Sequence, residues 1–252
     1  MSDLALATQG LEKRFGSLVV ASDIALSLPR GARHALIGPN GAGKTTLINM
    51  LTGMLSPDAG TIRLDGEDIT RLGPEARVRR GLVRTFQINT LFPSLTPLEA
   101  VTLAVLERER HADRWWQSLA AHRSAIEEAH GILASLRLDA IAHRPTRELA
   151  YGQQRLLEIS LALASKPRVL LLDEPAAGVP REESPALLQA IARLPGDISV
   201  LIIEHDMDLV FAFASRIVVL VGGSVMTEGT PQEIAADERV REVYLGRGRH
   251  AA

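Results

Sequence analysis

The chain of 252 residues has no cysteine, so disulfide staples and thiolate metal sites are both excluded, a composition suited to a reducing compartment. Nor is there an excess of charge. Twenty-eight Lys and Arg stand against 30 Asp and Glu, and a net charge of −2 supplies no broad basic field for a phosphate backbone, so nucleic acid is not expected as a partner. Long apolar runs are missing too. Runs such as Ile217 to Val221 are about a quarter of the roughly 20 residues that a membrane-crossing helix needs. The opening "MSDLALATQG" has no basic stretch followed by a long apolar segment, so no secretory signal is expected.

What is present is ordinary for a globular protein: 46% hydrophobic and 23% charged residues, enough for a core without staples. Residues 4–28 alternate apolar and polar side chains around Phe15-Gly16, predicting antiparallel strands about a turn. "RHALIGP" (33–39) reads as a short buried strand. "KTTLINMLTGML" (44–55) predicts a helix with Leu47, Leu51, Met54 and Leu55 on one face. Asp65-Gly66 within "TIRLDGEDI" predicts a tight hairpin. From about Glu99 to Ala164 the spacing is helical, and an insertion bounded near 88 and 165 follows. Strand patterns resume in "RVLLLDEP" (168–175), "SVLIIEH" (199–205) and "RIVVLVGG" (216–223), separated by helical patterns from Ser184 and Asp206. No internal repeat or low-complexity tract appears.

The chemistry is concentrated first in Gly38-Pro39-Asn40-Gly41-Ala42-Gly43-Lys44-Thr45, which matches the phosphate-binding pattern G-x-x-x-x-G-K-[ST], the Walker A motif. Glycines without a Cβ let the backbone wrap phosphate oxygens, and the following helix adds its positive end. Lys44 contributes the full charge for the β and γ phosphates, the Thr45 hydroxyl is the expected Mg²⁺ ligand, and Thr46 adds a phosphate contact. A second group ends the strand "RVLLLDEP". There Asp173 is assigned to the Mg²⁺ shell and Glu174 to activating the attacking water.

"LAYGQQRLLEIS" (149–160) places Gly152-Gln153 directly before a helix, as in the signature motif of ATP-binding cassette (ABC) proteins. With "LVRTFQ", "LFPSLTPLE", "DEPAAG" and "IIEHDM", the chain resembles, over nearly its whole length, the ATP-binding subunits of branched-chain amino acid importers. The resemblance implies an α/β fold, the P-loop NTPase domain of ABC type: a mixed-sheet core (1–87 and 166–252), an N-terminal antiparallel β subdomain and an inserted helical subdomain (88–165). It implies ATP and Mg²⁺ as cofactors. It also implies a second ABC ATPase subunit arranged head to tail, two transmembrane permease subunits, a secreted or periplasmic solute-binding protein, and a place on the cytoplasmic face of the plasma membrane.

By the same resemblance, Phe15 is placed to stack on adenine, Gln87 to touch Mg²⁺ and report the γ phosphate, and His205 to orient Glu174 and water. Tyr151, Gly152 and Gln153 are placed to cover the partner's γ phosphate. Leu91, Phe92, Leu95 and Leu98 are placed to receive a permease helix. Trp115 and Trp116 read as packing residues. Four positions depart from the family pattern. Ala150 replaces a serine hydroxyl, Leu156 and Leu161 replace arginines, and Pro180 cannot donate from its backbone, which bears on communication between paired sites. Urea or amide import, and a nucleotide-dependent regulatory module without transport, are the alternatives. A DNA-repair or translation cassette is weaker, for want of a sustained heptad or a second cassette.

Overall fold

The computed structural model describes residues 3–85, 91–109 and 122–245. Strands β1 (Leu4–Phe15) and β2 (Leu18–Pro29) pair antiparallel about Gly16, which turns the chain at φ 60°. After β3 (Arg33–Ile37) and α1 (Lys44–Thr52) come β4 (Ala59–Leu64) and β5 (Glu67–Asp68), joined through Asp65 and Gly66, both at positive φ as a tight hairpin of this kind needs. Then follow α2 (Pro74–Arg79), β6 (Leu82–Arg84), α3 (Pro97–Arg108), α4 (Arg123–Ser135) and α5 (Tyr151–Ala164). The remainder alternates: β7 (Val169–Asp173), α6 (Ser184–Ala192), β8 (Ser199–Ile203), α7 (Met207–Phe213), β9 (Arg216–Val221), β10 (Ser224–Gly229), α8 (Pro231–Ala236) and α9 (Glu238–Leu245).

Two sheets result. One has the order β2-β1-β4-β5; the other has the order β10-β9-β3-β8-β7-β6, parallel except for β10. The parallel strands are apolar on both faces because both are covered. Leu170 and Leu172 of β7, Val200 and Ile202 of β8 and Ile217 and Val219 of β9 enter a core shared with α3 to α7. Their neighbours Leu171, Leu201, Ile203, Val218 and Leu220 enter a second core with α1 and the antiparallel sheet. One sheet thus serves two cores by the two-residue period of its strands.

Differences from the sequence-based expectations have local causes. The P-loop helix stops at Thr52, because Gly53 takes φ 78° and its N–H closes on Met50 O. Met54 therefore lies beyond the helix and is exposed rather than on its buried face. Strands β6 and β10 and helices α2, α8 and α9 were not anticipated. The first and last of these are six and eight residues long, and β6 is three, too short for periodicity to register. Gln87, Trp115 and Trp116 lie outside the described residues. Among those described, no helix is long and apolar enough to cross a membrane.

Candidate functional site

Parallel strands deliver their C-terminal ends to one edge, and three of those ends carry the candidate residues. Ile203 is in register with both Leu36 and Asp173, so the loops holding Gly38, Glu174 and His205 leave the sheet at one level.

The loop after β3 is built from backbone. Gly41 and Gly43 have φ of 80° and 101°, and a Cβ at Gly43 would stand 2.7 Å from Val20 O. At Gly38 a Cβ would stand 2.2 Å from Leu220 O, so the loop can nestle on β9 only through glycine. Helix α1 starts with neither a side-chain cap nor an acid in its first turn, which leaves its first amides and positive end open to an anion. Lys44 Nζ donates to the carbonyls of Gly38 (2.6 Å) and Pro39 (3.2 Å). Burial lowers the lysine's pKa, while Glu174 and Asp173 oppose that shift, placing both carboxylates within electrostatic reach of the ammonium. Thr45 is exposed on the first turn.

Asp173 ends β7 and is nearly buried, and its Oδ2 accepts from Arg84 Nη2 at 2.5 Å; Arg84 Nη1 also donates to Asn49 Oδ1 on α1. Glu174 follows at φ 46°, a left-handed conformation uncommon for glutamate, pinned by its N–H to Ile203 O at 2.9 Å. His205 Nδ1 stands 3.9 Å from Glu174 Oε1 and 3.8 Å from Glu204 Oε2, beyond hydrogen-bond reach of either. The imidazole is 66% exposed, so it faces out of the edge. Glu204 is 1% exposed and was not singled out in the sequence. Its carboxylate accepts the amides of Ala176 (3.1 Å) and His205 (3.3 Å), and burial raises its pKa. Tyr244, on α9, has a sealed hydroxyl, and burial pushes its pKa up to about 12, an effect that the Gly38 backbone opposes.

Phe15 is 53% exposed at the tip of the β1–β2 hairpin, with Lys13 Nζ 5.8 Å from the ring centroid. Its strand partner β2 reaches the P-loop at Val20, whose carbonyl oxygen would stand 2.7 Å from a Cβ on Gly43. Tyr151, Gly152 and Gln153 form the first turn of α5, and Gln153 Oε1 turns back to accept the Ala150 amide at 3.0 Å. Tyr151 Oη accepts from Arg155 Nη2 at 2.8 Å, and the same nitrogen donates to Ala177 O at 3.3 Å, in the segment after Glu174. Of the proposed docking leucines, Leu91 and Leu98 pack on the core, while Phe92 is 68% exposed.

For a divalent ion the donors are hard oxygens, the Thr45 hydroxyl and the Asp173 carboxylate. Among the described residues no trio of acidic or histidine side chains gathers into a self-sufficient metal site. That sparse set fits Mg²⁺, which keeps waters and completes its shell with substrate phosphates.

The ABC transporter family profile matches residues 21–177, spanning the P-loop, α5 and the Asp173-Glu174 pair. The chain belongs to the ABC transporter family. A second profile, for branched-chain amino acid ATP-binding cassette transporters, matches residues 224–250 of the cassette, the stretch that holds Tyr244. The cassette is 40% identical to the high-affinity branched-chain amino acid transport ATP-binding protein BraF of Pseudomonas aeruginosa, covering 98% of this chain and 99% of that one. It is 38% identical to LivG of Salmonella typhimurium (98% and 99% covered), named for the same transport, and 35% identical to a probable LivG of Archaeoglobus fulgidus (96% and 95%). Among solved structures, the ADP conformation of MJ1267, an ATP-binding cassette of an ABC transporter, superposes with a TM-score of 0.85 at 31% identity, covering 96% and 99%.

Proposed function

We propose that the cassette is the ATP-hydrolysing subunit of an importer for branched-chain or chemically related amino acids. It works in a head-to-tail pair of cassettes beneath two membrane permeases, on the cytoplasmic face, and a solute-binding protein outside supplies the cargo. The observation that carries this is the 40% identity to an amino-acid transport cassette along 98% of the chain.

The chemistry follows from the site. Loop amides and Lys44 hold the β and γ phosphates, and Phe15 covers the adenine. Thr45 and Asp173, with Gln87, which lies outside the described residues, would hold Mg²⁺, which would neutralise phosphate charge. Arg84 fixes one Asp173 oxygen and leaves the other for that shell. Glu174 takes a proton from water as its oxygen bonds to the γ phosphorus and the bond to the bridging oxygen breaks. His205 and Glu174 are 3.9 Å apart, so their contact tightens as a partner cassette closes. The partner's α5 supplies Tyr151, Gly152 and Gln153 and a second positive helix end to the γ phosphate. Exposed Phe92 and its neighbours give a permease helix an apolar foothold, and separation of the cassettes after hydrolysis resets the permeases.

The test is to reconstitute the cassette with candidate permeases and a solute-binding protein from the same genome. ATP hydrolysis should rise with a leucine-loaded binding protein and be indifferent to urea. Stimulation by urea or amides alone, or regulation of a complex with no permease, contradicts the proposal.

A further inference from the structure

Arg155 lies one turn inside α5 and is only 7% exposed, yet it is the sole cation of that helix. Its Nη2 donates to Tyr151 Oη at 2.8 Å and to Ala177 O at 3.3 Å, while Nη1 donates to Glu158 Oε2 at 2.8 Å. The guanidinium also stands over the Tyr151 ring, 5.1 Å from its centroid. The phenol in turn stands against Gly178, which has φ 77° and where a Cβ would come within 2.9 Å of Tyr151 Oη. Thus the first turn of α5 is fastened to residues 177–178, three and four positions after Glu174.

The same segment is held from its other side. Ala176 N–H donates to Glu204, and Glu204 also accepts the amide of His205. Arg155 and Glu158 further line a small cleft with Thr85, Asp173 and Pro175. The contacts therefore run without a break from Tyr151 through Arg155 and Ala177 to Ala176, Glu204 and His205. This bears on Pro180, which has no N–H to offer a neighbouring site. Its carbonyl instead accepts the amides of Glu183 and Ser184 and starts α6. Leu156 and Leu161, also departures from the family pattern, pack half-buried on the core and make no polar link.

We propose that Arg155 is a positioning residue that makes the Glu174 and His205 of a cassette respond to the nucleotide held by its own α5, which is the partner's nucleotide. This rests on the head-to-tail pairing proposed above. In that pair the α5 terminus of one chain caps the γ phosphate bound by the other, which fixes Tyr151. Arg155 then carries that fixed position to Ala177, and Glu174 settles three residues upstream. Each site is thereby made competent by occupancy of the other. An experiment that separates the two chains tests this coupling.

Two copies with different tags are co-expressed and the doubly tagged pair is purified. Chain one keeps Glu174; chain two carries Glu174→Gln, so only the P-loop of chain one hydrolyses, beneath the α5 of chain two. Arg155→Met is then placed in one chain at a time. In chain one, where its own α5 touches only the idle site, it should still lower kcat at least about tenfold with KM for ATP within about threefold. Tyr151→Phe in chain one, which removes a single hydroxyl, should lower kcat about threefold and add little to Arg155→Met, as members of one chain of contacts do. This milder variant keeps the test open should Arg155→Met fail to fold. Full activity with either substitution in chain one, or loss only when it sits in chain two, overturns the inference. A control pair that binds ATP but is silent without either substitution overturns the pairing itself, and the inference with it.

Discussion

Arg77 is among the most completely buried side chains, and among the described residues no carboxylate pairs with it. Its guanidinium instead gathers four carbonyls: Met50 and Leu51 through Nη1 at 2.6 Å each, Leu72 through Nε at 2.8 Å and Thr70 through Nη2 at 2.9 Å. Two of them close the C-terminal end of α1, whose own last turn carries no basic residue. A cation from α2 thus supplies what the negative end of the P-loop helix lacks. In Arg77→Met the apolar volume is largely kept and every donor is lost. All four carbonyls lose the donor that Arg77 supplied, but Met50 O retains the Gly53 amide at 3.2 Å, so three count as orphans. At about 1–3 kcal/mol for each buried orphan, less the desolvation cost that Arg77 itself no longer bears, the net loss is about 3–4 kcal/mol. For a chain of this size that lowers Tm by about 10 °C. Thermal unfolding followed by circular dichroism measures it, with Arg77→Lys as companion. A compact ammonium cannot span all four acceptors, so it should recover less than half of the loss. A fall of under about 2 °C for Arg77→Met would refute the reasoning, since it would mean that the carbonyls find water or other donors at no cost.

Other outcomes follow from the site. Lys44→Ala should weaken ATP binding by roughly 10–100-fold, the worth of a charged hydrogen bond to phosphate, as read by equilibrium binding of a fluorescent nucleotide. Phe15→Ala should raise Kd for ATP by roughly tenfold, from the loss of stacking, and should weaken GTP in parallel, because a π-face is indifferent to the base; unchanged affinities would remove Phe15 from the adenine. His34 is buried in β3, and burial lowers its pKa from 6.5, with Glu228 raising it and Arg216 lowering it in turn. The unfolded chain then binds the proton more readily, so stability is lost as pH falls below about 6.5. His34→Gln should flatten that acid limb in urea titrations between pH 7 and 5; an unchanged slope would assign the limb to other groups.

Much of this site could be read in the sequence because its parts are local. The strand, glycine loop and helix of 33–52 are contiguous, and the loop demands glycine at Gly38 and Gly43 for reasons of contact that the motif spacing already encodes. Asp173-Glu174 and His205 were legible because apolar strands run straight into them. Residues that hold these in place were not. Arg84 meets Asp173 across 89 positions of chain, Arg77 meets Met50 across 27, and Glu204 meets Ala176 across 28. No periodicity connects such partners, and a buried charge reads in sequence like a surface one until the fold supplies its acceptors. β10 and the short helices after it also escaped, although Thr230-Pro231 with Glu233, which close a capping box at the start of α8, is a helix-start signal that the sequence carries.

A chain without cysteine offers a direct measurement of whether ATP is shared between two cassettes. One copy carries Asn40→Cys in the P-loop and the other Ala150→Cys before α5, both exposed positions, each in a Glu174→Gln background. With Mg·ATP and a mild oxidant, the two differently tagged chains should join covalently in high yield, with little product under ADP or without nucleotide. Equal yields in all three conditions, or joining of Asn40→Cys copies to one another in preference, would contradict a phosphate clasped between the glycine loop of one chain and the helix end of another.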